Sequence, residues 1–187
     1  MRLCRRVALC AALILCSASA DTQEVQPVVL QADGTIKISG RALKCGTVRN
    51  LLDERLPNLG ISVPGGRLLV LNPALLARQP EIVRLFVFHH ECGHQYVGAS
   101  ELDADCWAVR RGVQGGWLSK TGLLQVCTSF RGVPPTPTHP SGVLRCRNLE
   151  RCFAVAIAKK TKQMVPSATP KRLLVSKPRL VRNGALR

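Results

Sequence analysis

"HHECGH", residues 89–94, gathers three of the four histidines of the chain with a glutamate and a cysteine. Inside it, His90-Glu91-Cys92-Gly93-His94 has the form HExxH. Residues four apart share one face of a helix, so the imidazoles of His90 and His94 can reach a single ion. Glu91 is angled toward the same cleft, where a carboxylate can take a proton from a metal-activated water. The chemistry this predicts is hydrolysis assisted by zinc. A catalytic zinc site usually takes three protein ligands and keeps a further position open. The third ligand must come from elsewhere, and "SELDAD" downstream offers three carboxylates.

Glu101 and Asp105 are four apart and share a face, whereas Asp103 points roughly the other way. Ser100 and Asp103 have the spacing of a capping box at a helix start. If this helix packs antiparallel to the HExxH helix through "QYVGAS", Glu101 lies opposite His94 and Asp105 opposite His90. Glu101 is then the natural third zinc ligand, and Asp105 is placed to accept a hydrogen bond from the far nitrogen of a ligating imidazole.

HExxH followed by "ELDAD", with "THP" ahead of a last helix, resembles the gluzincin branch of HExxH metallopeptidases. The resemblance covers residues 67–152 or so. It implies zinc held by His90, His94 and Glu101, with Glu91 as general base and Asp105 orienting His90. The six residues between His94 and Glu101 are fewer than is usual for that family, so Asp103 and Asp105 stay open as alternative ligands.

Other residues near the motif divide between chemical and structural roles. His139, the only histidine outside the cluster, either lines the cleft and stabilises an oxyanion or is a loop histidine before a helix-starting proline. His89 is about 100° round the helix from His90, which suits a surface residue or a neighbour of the ligands better than a ligand. Cys92 faces away from both ligating histidines, as a disulfide or core residue would. Gly93 permits close approach of another element or is simply tolerated. Tyr96 either plays the same oxyanion-stabilising role as His139 or packs at the helix end, the reading favoured, and Trp107 and Trp117 read as core or cleft wall.

The elements that must position these residues are mostly helices. The strongest covers residues 80–97, opening with Pro80 and ending before Gly98; its first half is apolar nearly all round. Further helices are expected over about 101–111, within "SKTGLLQVCTSF", and over 140–158, after the proline-rich "GVPPTPTHP". Ahead of them, "VQPVVL" and "TIKIS" flank Asp33-Gly34 as a strand pair or extended arm. "GTVRNLLDERLPNLG" reads as one short helix. "GRLLVLNP" reads as a buried strand, with "RLLVL" an edge able to hold an extended substrate.

Composition bounds the setting. Of 187 residues, the first twenty read as a secretory signal: "MRLCRR" is positive, "VALCAALILC" apolar, and Ala18-Ser19-Ala20 a cleavage site. Three of the nine cysteines fall in that segment, which leaves Cys45, Cys92, Cys106, Cys127, Cys146 and Cys152. An even number in an exported domain predicts disulfides, and no CxxC pair supports a cysteine-based zinc knuckle. The net charge of +16 suggests nucleic acid until it is located: residues 159–187 hold nine Lys or Arg and no acid, while 21–152 hold fifteen basic and eleven acidic residues. Aromatics are absent after Phe153, so no specific nucleic acid is expected. The tail reads either as solvated and disordered or as an attachment to anionic envelope polymer or lipid.

The sequence therefore predicts an α+β fold: a small zincin-like domain at 21–158, mostly helical, with a short sheet before the HExxH helix. A signal segment at 1–20 precedes it and a basic tail at 159–187 follows. The expected function is a secreted or periplasmic Zn2+-dependent peptidase acting on a peptide or protein. The alternative is a non-catalytic, zinc-containing envelope-binding protein that uses its tail.

Overall fold

A computed structural model describes residues 28–164 of the chain. The expected signal segment and most of the basic tail lie outside the described residues. The chain opens with three short antiparallel strands, β1 (Val29–Leu30), β2 (Ile36–Ile38) and β3 (Arg41–Leu43), in the order β1-β2-β3. Alternation works here as a two-residue period demands: Ile36 and Ile38 are fully buried and Lys37 between them is exposed. The β1–β2 turn is closed by the Asp33 carboxylate, which accepts from the Thr35 amide and hydroxyl.

The second sheet comprises β4 (Arg49–Leu52), β5 (Gly60–Val63) and β6 (Leu68–Leu71), ordered β4-β6-β5. Two expectations fail here. "GTVRNLLDERLPNLG" is not a helix but β4, a turn and the start of β5. Exposed Arg49 and Leu51 alternate with inward Asn50 and Leu52, and pairing with β6 decides the conformation. "RLLVL" is likewise not an edge. β6 lies in the middle, parallel to β4 and antiparallel to β5, so β5 is the edge beside the site. A strand apolar on both faces suits a central position.

A short helix the sequence did not suggest, α1 (Pro73–Ala77), follows β6; the Asn72 side chain caps it by accepting from the Leu75 amide. The main helices are α2 (Glu81–Val97), α3 (Glu101–Gln114), α4 (Lys120–Ser129) and α5 (Gly142–Met164). α5 thus runs past residue 158, the expected domain boundary. α2 is the central element, packed against the inner face of the β4-β6-β5 sheet on one side and against α3 and α4 on the other. Leu69, Leu71, Leu85 and Phe88 are fully buried in this arrangement. Gly98 ends α2 with φ of 78°, the left-handed region that glycine enters without strain. Gly93 permits the approach of α3: a Cβ there would sit 3.2 Å from both Cα and O of Ala104.

Disulfides Cys45–Cys92, Cys106–Cys152 and Cys127–Cys146 tie α2 to the strand region, α3 to α5, and α4 to α5. All six cysteines among the described residues are paired, as an oxidising compartment favours. The domain is mixed α+β, with helices predominating over two small three-stranded sheets.

Candidate metal centre

His90 and His94 stand one turn apart on α2, and Glu101 opens α3 directly opposite them. Their ligating atoms all lie within 4.8 Å of one another, and the group could hold a metal ion. His94 Nε2 is 3.1 Å from His90 Nε2. The Glu101 oxygens lie 3.3 Å from His90 Nε2 and 3.5 Å from His94 Nε2. Zinc–nitrogen bonds of ~2.0–2.1 Å at tetrahedral angles put neighbouring donors ~3.3 Å apart, so the spacing fits.

The tautomers strengthen the fit. His90 Nδ1 is 2.9 Å from Asp105 Oδ1, and His94 Nδ1 is 2.7 Å from the Gly98 carbonyl oxygen. Both partners are acceptors, so each Nδ1 carries a hydrogen and each ring turns Nε2 into the site, where it is a lone-pair donor once its proton is displaced. Glu101 Oε2 is buried and accepts no hydrogen bond. Three potential donor atoms therefore converge, an arrangement that a shared proton or a metal ion would stabilise. With protons alone, burial opposes charge on His90, but the carboxylates of Asp105 and Glu101 outweigh it and push its pKa up to about 9. Burial would raise the Glu101 pKa, yet the two histidines hold it well below the usual carboxylate range. A bound cation supplies the same compensation and displaces the protons.

The alternative carboxylates are placed elsewhere. Asp103 is exposed on the far side of α3, among Arg110 and Arg151. Ser100 Oγ accepts from the Asp103 backbone amide at 3.3 Å, so the helix cap belongs to Ser100 and not to the aspartate side chain. Asp105 is fully buried behind His90. There it meets Arg145, whose Nε donates to Oδ2 at 2.9 Å and whose second terminal nitrogen donates to Oδ1 at 2.6 Å. The same guanidinium lies 3.5 Å from Glu101 Oε2 and 4.3 Å above the centre of the Phe130 ring. Arg145 thus braces both Glu101 and Asp105, the residue hydrogen-bonded to His90 Nδ1. The sequence reading missed it. A signal existed: Arg145 shares the α5 face of Asn148, Leu149, Cys152 and Ala156, a charge at the head of an inward stripe.

Glu91 faces the cleft and lines it on both sides of His90, and burial raises its pKa. Gly60 on β5 backs it closely: a Cβ there would fall 2.9 Å from Glu91 Cγ and 2.8 Å from Leu71 Cδ2. His139 reaches the same cleft from the proline-rich loop, its Nε2 3.3 Å from Glu101 Oε1 and its side chain half exposed. The Thr138 hydroxyl lies 2.8 Å from His139 Nδ1. With that hydroxyl donating, Nε2 keeps its hydrogen and points it into the cleft.

The remaining residues of the motif are structural. Cys92 is buried in its disulfide with Cys45. His89 does not adjoin the ligands. Its Nδ1 bonds the Leu85 carbonyl at 2.8 Å, and its ring packs 4.9 Å from that of Trp117 in a slot away from the cleft. Burial there lowers its pKa. Tyr96 stacks on Trp107 with rings 9° from parallel, so neither tryptophan walls the cleft.

On one side of Glu91 the cleft widens into a pocket of about 540 Å³, with Leu75, Val83, Phe86, Val87, Phe130 and Val133 among its walls. On the other it continues for about 520 Å³ along Gly60, Ile61 and Ser62 of β5. No protein-family model, curated protein or solved structure matches the chain.

Proposed function

We propose that the chain is a zinc-dependent peptidase of the HExxH, gluzincin-like type. The observation that carries this reading is the convergence of His90 Nε2, His94 Nε2 and a Glu101 carboxylate oxygen within 4.8 Å of one another beside Glu91, in an open cleft. His90, His94 and Glu101 would hold the ion. When bound, zinc supplies a Lewis acid that polarises a carbonyl and acidifies a water.

The rest of the mechanism belongs to the residues of the chain. Glu91 accepts a proton from the attacking water and later passes it to the leaving amine, a role suited by a carboxylate whose pKa burial has raised. The His139 N–H donates to the oxygen on which negative charge develops. Asp105 holds His90 in the tautomer that presents Nε2, and Arg145 holds Asp105 in place. An extended polypeptide pairs with the free edge of β5 and rests an apolar side chain in the pocket formed by Val83, Phe86 and Phe130. Three disulfides and an export-type leader suit a secreted or periplasmic enzyme.

The test is cleavage of an unstructured peptide library by the purified mature chain, followed by mass spectrometry. The expected result is hydrolysis that stops on chelation, returns with zinc, and favours sites flanked by apolar residues. A protein that holds zinc and binds peptides without cleaving them would replace this reading with the non-catalytic one.

A further inference from the structure

Among the described residues, nothing covers the outer face of the second sheet, and it is largely apolar. Register places Leu51, Val70 and Ile61 side by side in one row and Arg49, Leu68 and Val63 in the next. These rows point away from α2, because the intervening Leu69 and Leu71 are the fully buried ones. Leu51, Ile61 and Val63 are 44%, 41% and 41% exposed, and Leu68 and Val70 are half-buried beside them. Five adjoining apolar side chains on one sheet face form a candidate contact surface.

Two features select the partner. The patch consists of five apolar side chains, three of them about two-fifths exposed, far fewer than the roughly 20–30 residues a side of a stable protein interface. Its unpaired cations lie at one end, where Arg49 sits within the second row and exposed Arg67 directly precedes β6; at the other end Asp53, directly after β4, is held in an ion pair by Arg55 and is followed by exposed Glu54. Apolar side chains flanked by arginines match a bilayer carrying anionic headgroups, into which the former insert while the latter pair with phosphate. No helix among the described residues is long and apolar enough to cross a membrane, so contact would be with one leaflet.

We propose that this face docks the domain on an anionic phospholipid surface. Ile61 belongs both to the docking face and to the wall of the cleft, so docking sets the cleft beside the lipid and favours polypeptide held at the membrane. The inference does not depend on catalysis.

The test is cosedimentation of the full chain with vesicles of phosphatidylglycerol and phosphatidylcholine in equal parts, against phosphatidylcholine alone. Purely electrostatic attachment, including any by the basic tail, is abolished near ~1 M salt, where the Debye length is ~3 Å. Binding through this face persists there on the mixed vesicles once formed at low salt, and a Leu51→Ser, Val63→Ser variant weakens it by about 10- to 50-fold (~1.4–2.3 kcal/mol), the share expected for two side chains exposed by two-fifths. A Leu51→Trp reporter should shift its emission to the blue on the mixed vesicles, which keeps the test decisive if the double variant folds poorly. Binding that vanishes in high salt, or a reporter that does not respond, would overturn the proposal. So would a wild-type dimer in sedimentation that the serine variant dissolves, since the face would then serve a second copy of the chain.

Discussion

Replacing Arg145 by Met should damage the metal centre without touching a ligand. Met keeps much of the apolar volume over Phe130 but removes both bonds to Asp105. Asp105 has no exposure, so its carboxylate would keep only the His90 N–H as a donor. Taking one partner from a buried ion pair costs ~3–5 kcal/mol, and the surviving bond to His90 argues for the lower end, ~3 kcal/mol. At a few degrees of Tm per kcal/mol, that is a loss of about 10 °C for a domain of this size. Because Asp105 orients His90, zinc affinity should fall about 10- to 100-fold as well. Thermal melts and chelator competition on wild type, Arg145→Met and Arg145→Lys would measure both effects; Lys, with a charge but no fork, should fall between. Adding Asp105→Asn to Arg145→Met should recover part of the lost stability, because no unpaired charge is left buried. If Arg145→Met melts within ~2 °C of wild type and binds zinc equally well, the bracing role is refuted.

The carboxylates of α3 should separate by role. Glu101→Gln should lose most of the zinc, Asp105→Asn should weaken zinc affinity about 10- to 100-fold, and Asp103→Ala should cost under ~1 kcal/mol of stability through the lost helix-dipole interaction; zinc titrations and melts would show this order or break it. Gly60→Ala should press on Glu91 Cγ and lower kcat about 10- to 100-fold while leaving zinc content unchanged; an unchanged kcat would mean that the strand yields instead. In chelator, the raised His90 pKa means that its stabilising charge is fully present below the unfolded value near 6.5 and is lost as pH rises through about 9. The Tm of the metal-free protein should therefore decline across that window. Zinc affinity should rise over the same range, because the ion displaces that proton. Parallel trends in the two forms would argue against a shared site.

The site was more legible in the sequence than the sheet was. His90, His94, Glu101 and Asp105 followed from helical periodicity, which survives packing because backbone hydrogen bonds within each helix fix it. His139 was visible only as a lone histidine, since nothing local says where a proline-rich loop will lie. Arg145 lies forty residues beyond Asp105, and only the inward stripe of α5 marks it among the other basic residues of that helix. β4 was misread because "VRNLLDERL" has helix-like spacing as well as strand alternation, and the choice between them is made by β6, more than a dozen residues away. The same non-local pairing put β5, not β6, at the edge beside the cleft.

The most direct test of a metal-dependent hydrolase is to compare wild type with Glu91→Gln, each with metal content and peptide cleavage measured on the same preparation. Glu91 is no ligand in this account, so both proteins should hold one zinc per chain, while the glutamine variant, unable to accept a proton, should lose at least ~100-fold in kcat. Equal cleavage by the two zinc-loaded proteins, or none by the wild type, would contradict it.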